Sequence, residues 1–325
     1  MYSLEELDKI VARSVSSVCG TAEPENLYAP IRYMMSIGGK RIRPKMCLLV
    51  YSLFHNEIGK EVLYPALSLE MFHEFTLVHD DIMDRSETRR GNLTVYRKWS
   101  QNTAILSGDV MSIAAYDLLS CASDKYLRKA MEIFTKMAVE VCEGQQYDMD
   151  YEDMPFITMD DYMKMIGRKT AVLIACSAKM GALLSGAEES ACDALYEFGY
   201  QLGLAFQITD DYLDTFGNEK TFGKKIGGDI INNKKTWLLV EAFRLAGADR
   251  KKELSSILSL GPERSVEKIE RMQKLYIDLG VKNAASAAAE ECHSKAMAAL
   301  DTLSLNESQR ELLNEFAREL TSRDK

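Results

Sequence analysis

Carboxylates at positions i, i+1 and i+4 occur twice in this 325-residue chain, as Asp80-Asp81-Ile82-Met83-Asp84 and as Asp210-Asp211-Tyr212-Leu213-Asp214. Residues four apart in an α-helix lie one above the other, so Asp80 with Asp84, and Asp210 with Asp214, make paired acidic faces. Such pairs repel unless a cation sits between them, and clustered oxygens are what a hard ion such as Mg²⁺ prefers. Both turns therefore read as metal sites. A solvated acidic helix end is the alternative, and two copies, each behind an apolar run, argue against it.

Basic loops accompany the acidic turns. Gly38-Gly39-Lys40-Arg41-Ile42-Arg43 carries three cations on a glycine-rich backbone, Arg89 and Arg90 fall five and six residues after Asp84, and Lys224 and Lys225 lie among glycines at 223, 227 and 228. Cationic loops wrap phosphate oxygens through charge-assisted hydrogen bonds, and arginine adds a two-pronged fork that lysine lacks. A metal-loaded acidic turn beside cations calls for a diphosphate, and an apolar interior beneath it for a hydrocarbon. The substrate this describes is an allylic isoprenoid diphosphate, whose departing diphosphate is stabilised by metal and cations.

The elements that carry these groups are helical by pattern. Leu4, Leu7, Val11, Val15 and Val18 recur at helical spacing, and Gly20 ends that segment. Pro30 suits the first turn of a second helix closed by Gly38-Gly39, and Pro44 the first turn of a third. After Pro65 an apolar helix runs into Asp80, so uniformly apolar that it belongs in an interior. Residues 101–146 are helical with a break near Ser123-Asp124, and Gly144 to Asp148 close the stretch. Asp150, Glu152, Asp153, Asp160 and Asp161 read as a solvated connection around Pro155. Lys169-Thr170 sits at a break before a small-residue helix over 171–186, a helix over 191–216 carries the second acidic turn, and Lys234-Lys235-Thr236 starts another. Helices alternate with short breaks to the end, and no strand pattern or linker divides the chain.

Composition agrees. Six prolines occur, none between Pro155 and Pro262, and the length allows one large helical domain over 1–325. Lys and Arg, 40 against 49 Asp and Glu, give a net charge of −9, which speaks against nucleic acid as a partner. Seven cysteines without CxxC spacing read as small buried hydrophobes in a reducing cytoplasm. The first residues lack a signal peptide's apolar stretch, and no apolar run reaches the length of a membrane span.

The motifs from Gly38 to Thr236 resemble, in order, those of the trans-isoprenyl diphosphate synthases, the polyprenyl synthetase family, in its short-chain type. Residues 38–44 look like the isopentenyl diphosphate loop, 80–84 and 206–214 like the two aspartate-rich motifs, and Arg89-Arg90-Gly91 like the arginine pair. Gly144-Gln145-Gln146-Tyr147-Asp148, Lys169-Thr170, Gly223-Lys224, Gly227-Gly228-Asp229 and Lys234-Lys235-Thr236 also fit. One departure stands out: where the family has Lys-Pro after the arginine pair, this chain has Asn92-Leu93.

The resemblance implies an all-α fold of isoprenoid synthase type I, a single large helical bundle around a central cavity, usually as a homodimer. It implies a prenyltransferase that joins isopentenyl diphosphate to allylic diphosphates by ionisation, condensation and elimination, with roughly three Mg²⁺ ions per active site. By the same resemblance Asp80, Asp84 and Asp210 ligate Mg²⁺, while Asp81, Asp211, Asp214 and Asp229 hold metal-bound waters. Lys40, Arg43, His73 and Arg90 hold isopentenyl diphosphate; Arg89, Lys169, Lys224 and Lys234 grip the allylic diphosphate. Thr170, Gln207 and the Lys169 carbonyl face the allylic cation. Product length is set by bulk before the first motif, at Phe75, with small Thr76 beside it and Phe72 a turn deeper. That pattern leans towards geranylgeranyl diphosphate, with farnesyl diphosphate next.

Three other readings compete. A terpene cyclase shares the first motif but carries Asn/Asp-Asp-x-x-Ser-x-x-x-Glu at its second site, where this chain is Asp-rich. Glu70-Met71-Phe72-His73 and Glu290-Glu291-Cys292-His293 both read ExxH, as in a ferritin-like di-iron protein, a reading that leaves both acidic repeats unexplained. A non-catalytic partner subunit would lack some expected position, and none is missing.

Overall fold

The computed structural model describes residues 2–18, 22–218 and 226–321; Cys19, Gly20, Gly223, Lys224 and Lys225 lie outside the described residues. The chain's close contacts gather it into two units, one of Met1–Lys136, Cys176–Tyr196 and Leu305–Leu313, the other of Met137–Ala175, Glu197–Ser304 and Asn314–Lys325.

Helices α1 (Leu4–Val18), α2 (Glu25–Ser36), α3 (Ile42–Ser52) and α4 (Lys60–Met83) open the first unit. Leu4, Leu7, Val11 and Val15 of α1 are buried, as their spacing predicts. Pro30 and Pro65 each stand sixth in their helices, not at the start. The ring deletes one backbone hydrogen bond there, and the burial of Pro30 and Pro65 among apolar neighbours offsets the loss. Helix α4 thus begins five residues earlier than its proline suggests. It buries Leu67, Leu69, Met71, Phe72 and Val78, each side chain contributing about 1.5–3 kcal/mol, and packs extensively on α6 (Gln101–Leu119).

Between them lies a correction to the strandless reading. Thr88–Arg89 (β1) and Asn92–Leu93 (β2) form a small antiparallel hairpin, Thr88 opposite Leu93 and Arg89 opposite Asn92. Its turn residues, Arg90 at φ 51° and Gly91 at φ 75°, are both left-handed, the backbone a two-residue hairpin requires. The loop keeps a defined shape with Asn92-Leu93. The short α5 (Val95–Lys98) follows.

Helix α7 (Asp124–Glu152) starts where the break near Ser123 was expected but continues eight residues past Gly144. Asp150 and Glu152 are therefore helical, and Asp160 and Asp161 lie in the first turn of α8 (Met159–Ile166), where Thr158 and Asp161 cap each other reciprocally. One π-helical turn, Gly167–Ala171, joins α8 to α9 (Val172–Leu184), placing Lys169-Thr170 at the predicted break. Helix α10 (Glu189–Phe216) meets α9 and the π-turn through small residues: a Cβ on Gly199 would lie 2.8 Å from Ala175 Cα, and one on Gly203 2.5 Å from Ala171 Cα.

The second unit continues through α11 (Gly228–Ile231), α12 (Trp237–Leu245), α13 (Ala248–Leu258), α14 (Ser265–Asp278) and α15 (Val281–Ala299); α16 (Glu307–Thr321) is the last helix. Its core gathers Tyr162, Ile208, Trp237, Leu238, Leu275 and Tyr276. Among the described cysteines all are free thiols, Cys47, Cys176, Cys192 and Cys292 buried and Cys121 and Cys142 exposed. No helix among the described residues is long and apolar enough to cross a membrane.

Candidate active site

In the first unit the acidic turn is the last turn of α4. Asp81 is its buried member. Its Oδ1 accepts from Nε of Arg89 at 2.8 Å, and Arg89 also reaches Oδ2 of Asp80 at 3.5 Å. The second oxygen of Asp81 is buried without a hydrogen-bond partner. Burial pushes Asp81 up to about 6, against the pull of Arg89. The hairpin thus brings Arg89 to the aspartates themselves.

Of the residues expected to hold isopentenyl diphosphate, His73, Arg43 and Arg90 converge on the same helix. His73 is kept neutral, its pKa driven well below the usual range by burial and then by Arg43, Arg90, Arg89 and Arg41. Arg43 has a buried Nε–H with no hydrogen-bond partner, and Lys40 is exposed on the glycine loop. Glu74, which the sequence reading passed over, completes this corner together with Arg41 and Glu70. Arg41 donates to Glu70 at 2.7 Å and to Glu74 at 2.6 Å, and Arg90 donates to Glu74 at 3.0 Å. Burial first, then the Glu70 carboxylate, raises Glu74 above the usual range, and the two arginines oppose that shift. The i, i+4 spacing of Glu70 and Glu74 could have flagged them.

Towards the middle of α4, Phe75 packs against Phe72 and His79, with ring centroids 5.4 and 4.9 Å apart. Phe72 in turn packs against Phe134 at 5.5 Å, and Phe134 against Tyr116 at 5.0 Å. Thr76 bonds back to the His73 carbonyl at 2.7 Å.

In the second unit Asp211 is enclosed by donors. Tyr162 donates its hydroxyl at 2.6 Å and the Trp237 backbone N–H donates at 2.8 Å, both to Oδ2, while Gln207 donates to Oδ1 at 2.9 Å. Trp237 is the first residue of α12, so its N–H is one of the donors a helix start leaves unmet. Thr236 caps the same helix, accepting from Leu239 N–H at 3.3 Å. Burial still pushes Asp211 up to about 7. One turn on, Asp214 accepts from the Asp229 backbone N–H at 3.0 Å. Asp229 is held above the carboxylate range by burial and by Asp214 and Asp211, and Lys234 pulls it back.

The π-turn carries the remaining residues. Thr170 donates to the Gln207 carbonyl oxygen at 2.9 Å, which orients the Gln207 amide towards Asp211. Lys169 is ion-paired to Asp148 at 2.5 Å. Gly144 allows this approach: a Cβ there would lie 2.2 Å from the Lys169 backbone nitrogen. Sequence reasoning took Gly144 for a helix end because glycine costs a helix about 1 kcal/mol; it is a packing residue inside one, four residues before the carboxylate that meets Lys169. Lys224 lies outside the described residues.

Among the described residues, no group of three or more His, Cys, Asp or Glu side chains converges on one point as a ready metal site. Glu70 is taken by Arg41, which removes the first half of the di-iron reading. Buried carboxylates crowded upwards in pKa, one with an unused oxygen, nevertheless suit a divalent cation that shares its remaining oxygens with a ligand.

A helical fold that sets such carboxylates against arginines and lysines defines a protein for handling organic diphosphates. The polyprenyl synthetase family model matches residues 24–276. A geranylgeranyl diphosphate synthase of Methanosarcina mazei is 39% identical over 235 residues, covering 72% of each chain. A geranylgeranyl pyrophosphate synthase of Geoglobus acetivorans is 36% identical over 324 residues, 99% of this chain and 98% of that one. A crystal structure of a geranylgeranyl pyrophosphate synthase superposes with a TM-score of 0.94 at 37% identity, covering all of both chains. The chain belongs to the polyprenyl synthetase family, in the isoprenoid synthase helical fold, and is a prenyltransferase.

Proposed function

We propose that this protein condenses isopentenyl diphosphate with allylic diphosphates and releases geranylgeranyl diphosphate. The observation that carries the reading is full-length likeness to geranylgeranyl diphosphate synthases in a chain that keeps both acidic turns. Asp80, Asp84 and Asp210 are the Mg²⁺ ligands of this reading, about three ions being held per site, with Asp81, Asp211, Asp214 and Asp229 holding their waters. Bound Mg²⁺ supplies Lewis-acid stabilisation to the departing diphosphate.

Arg89, Lys169, Lys224 and Lys234 neutralise the allylic diphosphate as its bond to carbon breaks. Lys40, Arg43 and Arg90 fix isopentenyl diphosphate, the buried Nε–H of Arg43 being a donor ready for an anion. Neutral His73 adds a hydrogen bond without further charge. The Gln207 and Thr170 oxygens and the Lys169 carbonyl turn negative dipoles towards the allylic cation. The isopentenyl double bond then attacks that carbon, and the released diphosphate takes the proton, so no protein base is required. Exposed Ile105, Leu106 and Ile113 on α6 support a second copy of this chain as their cover; light scattering on the purified protein would give twice 36.6 kDa.

The purified protein with isopentenyl diphosphate, dimethylallyl, geranyl or farnesyl diphosphate and Mg²⁺ should yield a twenty-carbon product by mass spectrometry. A fifteen-carbon end product would favour the farnesyl alternative. Hydrocarbon released from an allylic diphosphate alone would mark a cyclase. Phe75 stands beside the edge-to-face pair of Phe72 and Phe134, which supports it as the wall against which the chain stops. Phe75→Ala should therefore lengthen the product by one or more isoprene units in the same assay; unchanged length would exclude Phe75 as the stop.

A further inference from the structure

Glu74 is the least exposed carboxylate of the corner where isopentenyl diphosphate is proposed to bind, its side chain wholly out of solvent. Its Oε1 accepts from Nη1 of Arg41 at 2.6 Å and from Nη1 of Arg90 at 3.0 Å. Neither guanidinium is held by Glu74 alone. Arg41 also donates to Glu70 and, at 2.5 Å, to the Met35 carbonyl; Arg90 also donates to the Gly38 carbonyl. Arg90 lies flat on the glycine loop, since a Cβ on Gly39 would fall 2.7 Å from its Cζ. One carboxylate oxygen therefore ties α4, the loop over residues 38–41 and the β1–β2 turn together, and both arginines meet it from left-handed backbone.

We propose that Glu74 is a positioning residue for isopentenyl diphosphate: it anchors the Arg90 guanidinium against Gly38 and Gly39, beside the loop that carries Lys40 and leads into Arg43 in the first turn of α3. This rests on the condensation reading above. A guanidinium held before the ligand arrives loses less rotamer freedom on binding, and without its anchor the same side chain must be ordered at the ligand's expense. Two carboxylates against Arg41, Arg43 and Arg90 leave one positive charge in excess, so the corner remains attractive to a diphosphate with Glu74 ionised. Glu70 touches only Arg41 of these, which makes Glu74 the specific link to Arg90.

Steady-state kinetics on Glu74→Gln, Arg90→Lys and the double variant test the link. Glu74→Gln keeps size and an acceptor but loses the charge. Its KM for isopentenyl diphosphate should rise roughly tenfold, with kcat and the allylic KM within about twofold of wild type. In the Arg90→Lys background the same substitution should change that KM by less than about twofold, because residues acting through one contact are not additive. A parallel rise in both KM values, a fall in the isopentenyl KM, or full additivity with Arg90→Lys would overturn the proposal. Should Glu74→Gln not fold, Glu74→Asp keeps the charge on a shorter stem and should raise the isopentenyl KM alone, about threefold; no rise would overturn the proposal equally. Wild-type protein inert towards isopentenyl diphosphate would sink the condensation reading itself, whereas normal wild-type turnover with unmoved variants sinks only the role of Glu74.

Discussion

Asp80→Ala is expected to lower kcat about a thousandfold, on the order of 4 kcal/mol of transition-state stabilisation, at saturating substrates and Mg²⁺. The same variant should unfold at a slightly higher temperature than wild type. Asp80 and Asp84 are like charges one turn apart, next to buried Asp81, and relieving such a pair stabilises a helix by about 0.2–0.5 kcal/mol. Arg89 keeps its 2.8 Å pair with Asp81 when Asp80 is removed, so the hairpin should stay seated. Opposite signs in the two measurements are the mark of a carboxylate retained for chemistry at a cost in stability. A kcat within tenfold of wild type would remove Asp80 from the metal site.

Asp211→Ala should act chiefly on stability, by about 3–5 kcal/mol, seen as a fall in the thermal midpoint on the order of 5–10 °C. The substitution strands three donors at once, the Tyr162 hydroxyl, the Trp237 N–H and the Gln207 amide. Two of them are buried, and the Trp237 N–H belongs to a helix start that offers no other acceptor for it. Asp211→Asn retains an oxygen for Tyr162 and Trp237 but turns its own amide towards that of Gln207, so about 1–2 kcal/mol should be lost. Calorimetry on the pair separates them; equal losses would show that the carboxylate's charge, not its count of acceptors, is what matters there.

Much of this was readable in the residues. The acidic turns, the apolar helix leading to Asp80 and the break at Lys169-Thr170 follow from spacing and hydrophobic period, which depend on neighbours in the chain. What escaped depends on partners far along it. Gly144 looks like a terminator until the Lys169 backbone is laid against it. Pro65 looks like a helix start because local propensity outweighs packing when only the sequence is in view. The Arg90-Gly91 hairpin is too short for an alternating pattern to register. Tyr162 and Glu74 read as ordinary helix residues until their long-range partners are placed. The acidic turns are thus legible locally, and the groups that brace the side chains around them are not.

The π-turn at Gly167–Ala171 has a consequence in angular phase. Tyr162 and Thr170 reach Asp211 and Gln207, which lie one turn apart on α10. Eight residues of unbroken α-helix would leave Tyr162 and Thr170 about 80° apart around the axis, on different faces. Absorbing one residue into the wider turn takes out roughly 100° of rotation and brings them to within about 20°. The extra residue works as a phase corrector: it lets one straight run of chain address the same neighbouring helix twice, first with a hydroxyl that braces a buried aspartate and then with one that aims an amide.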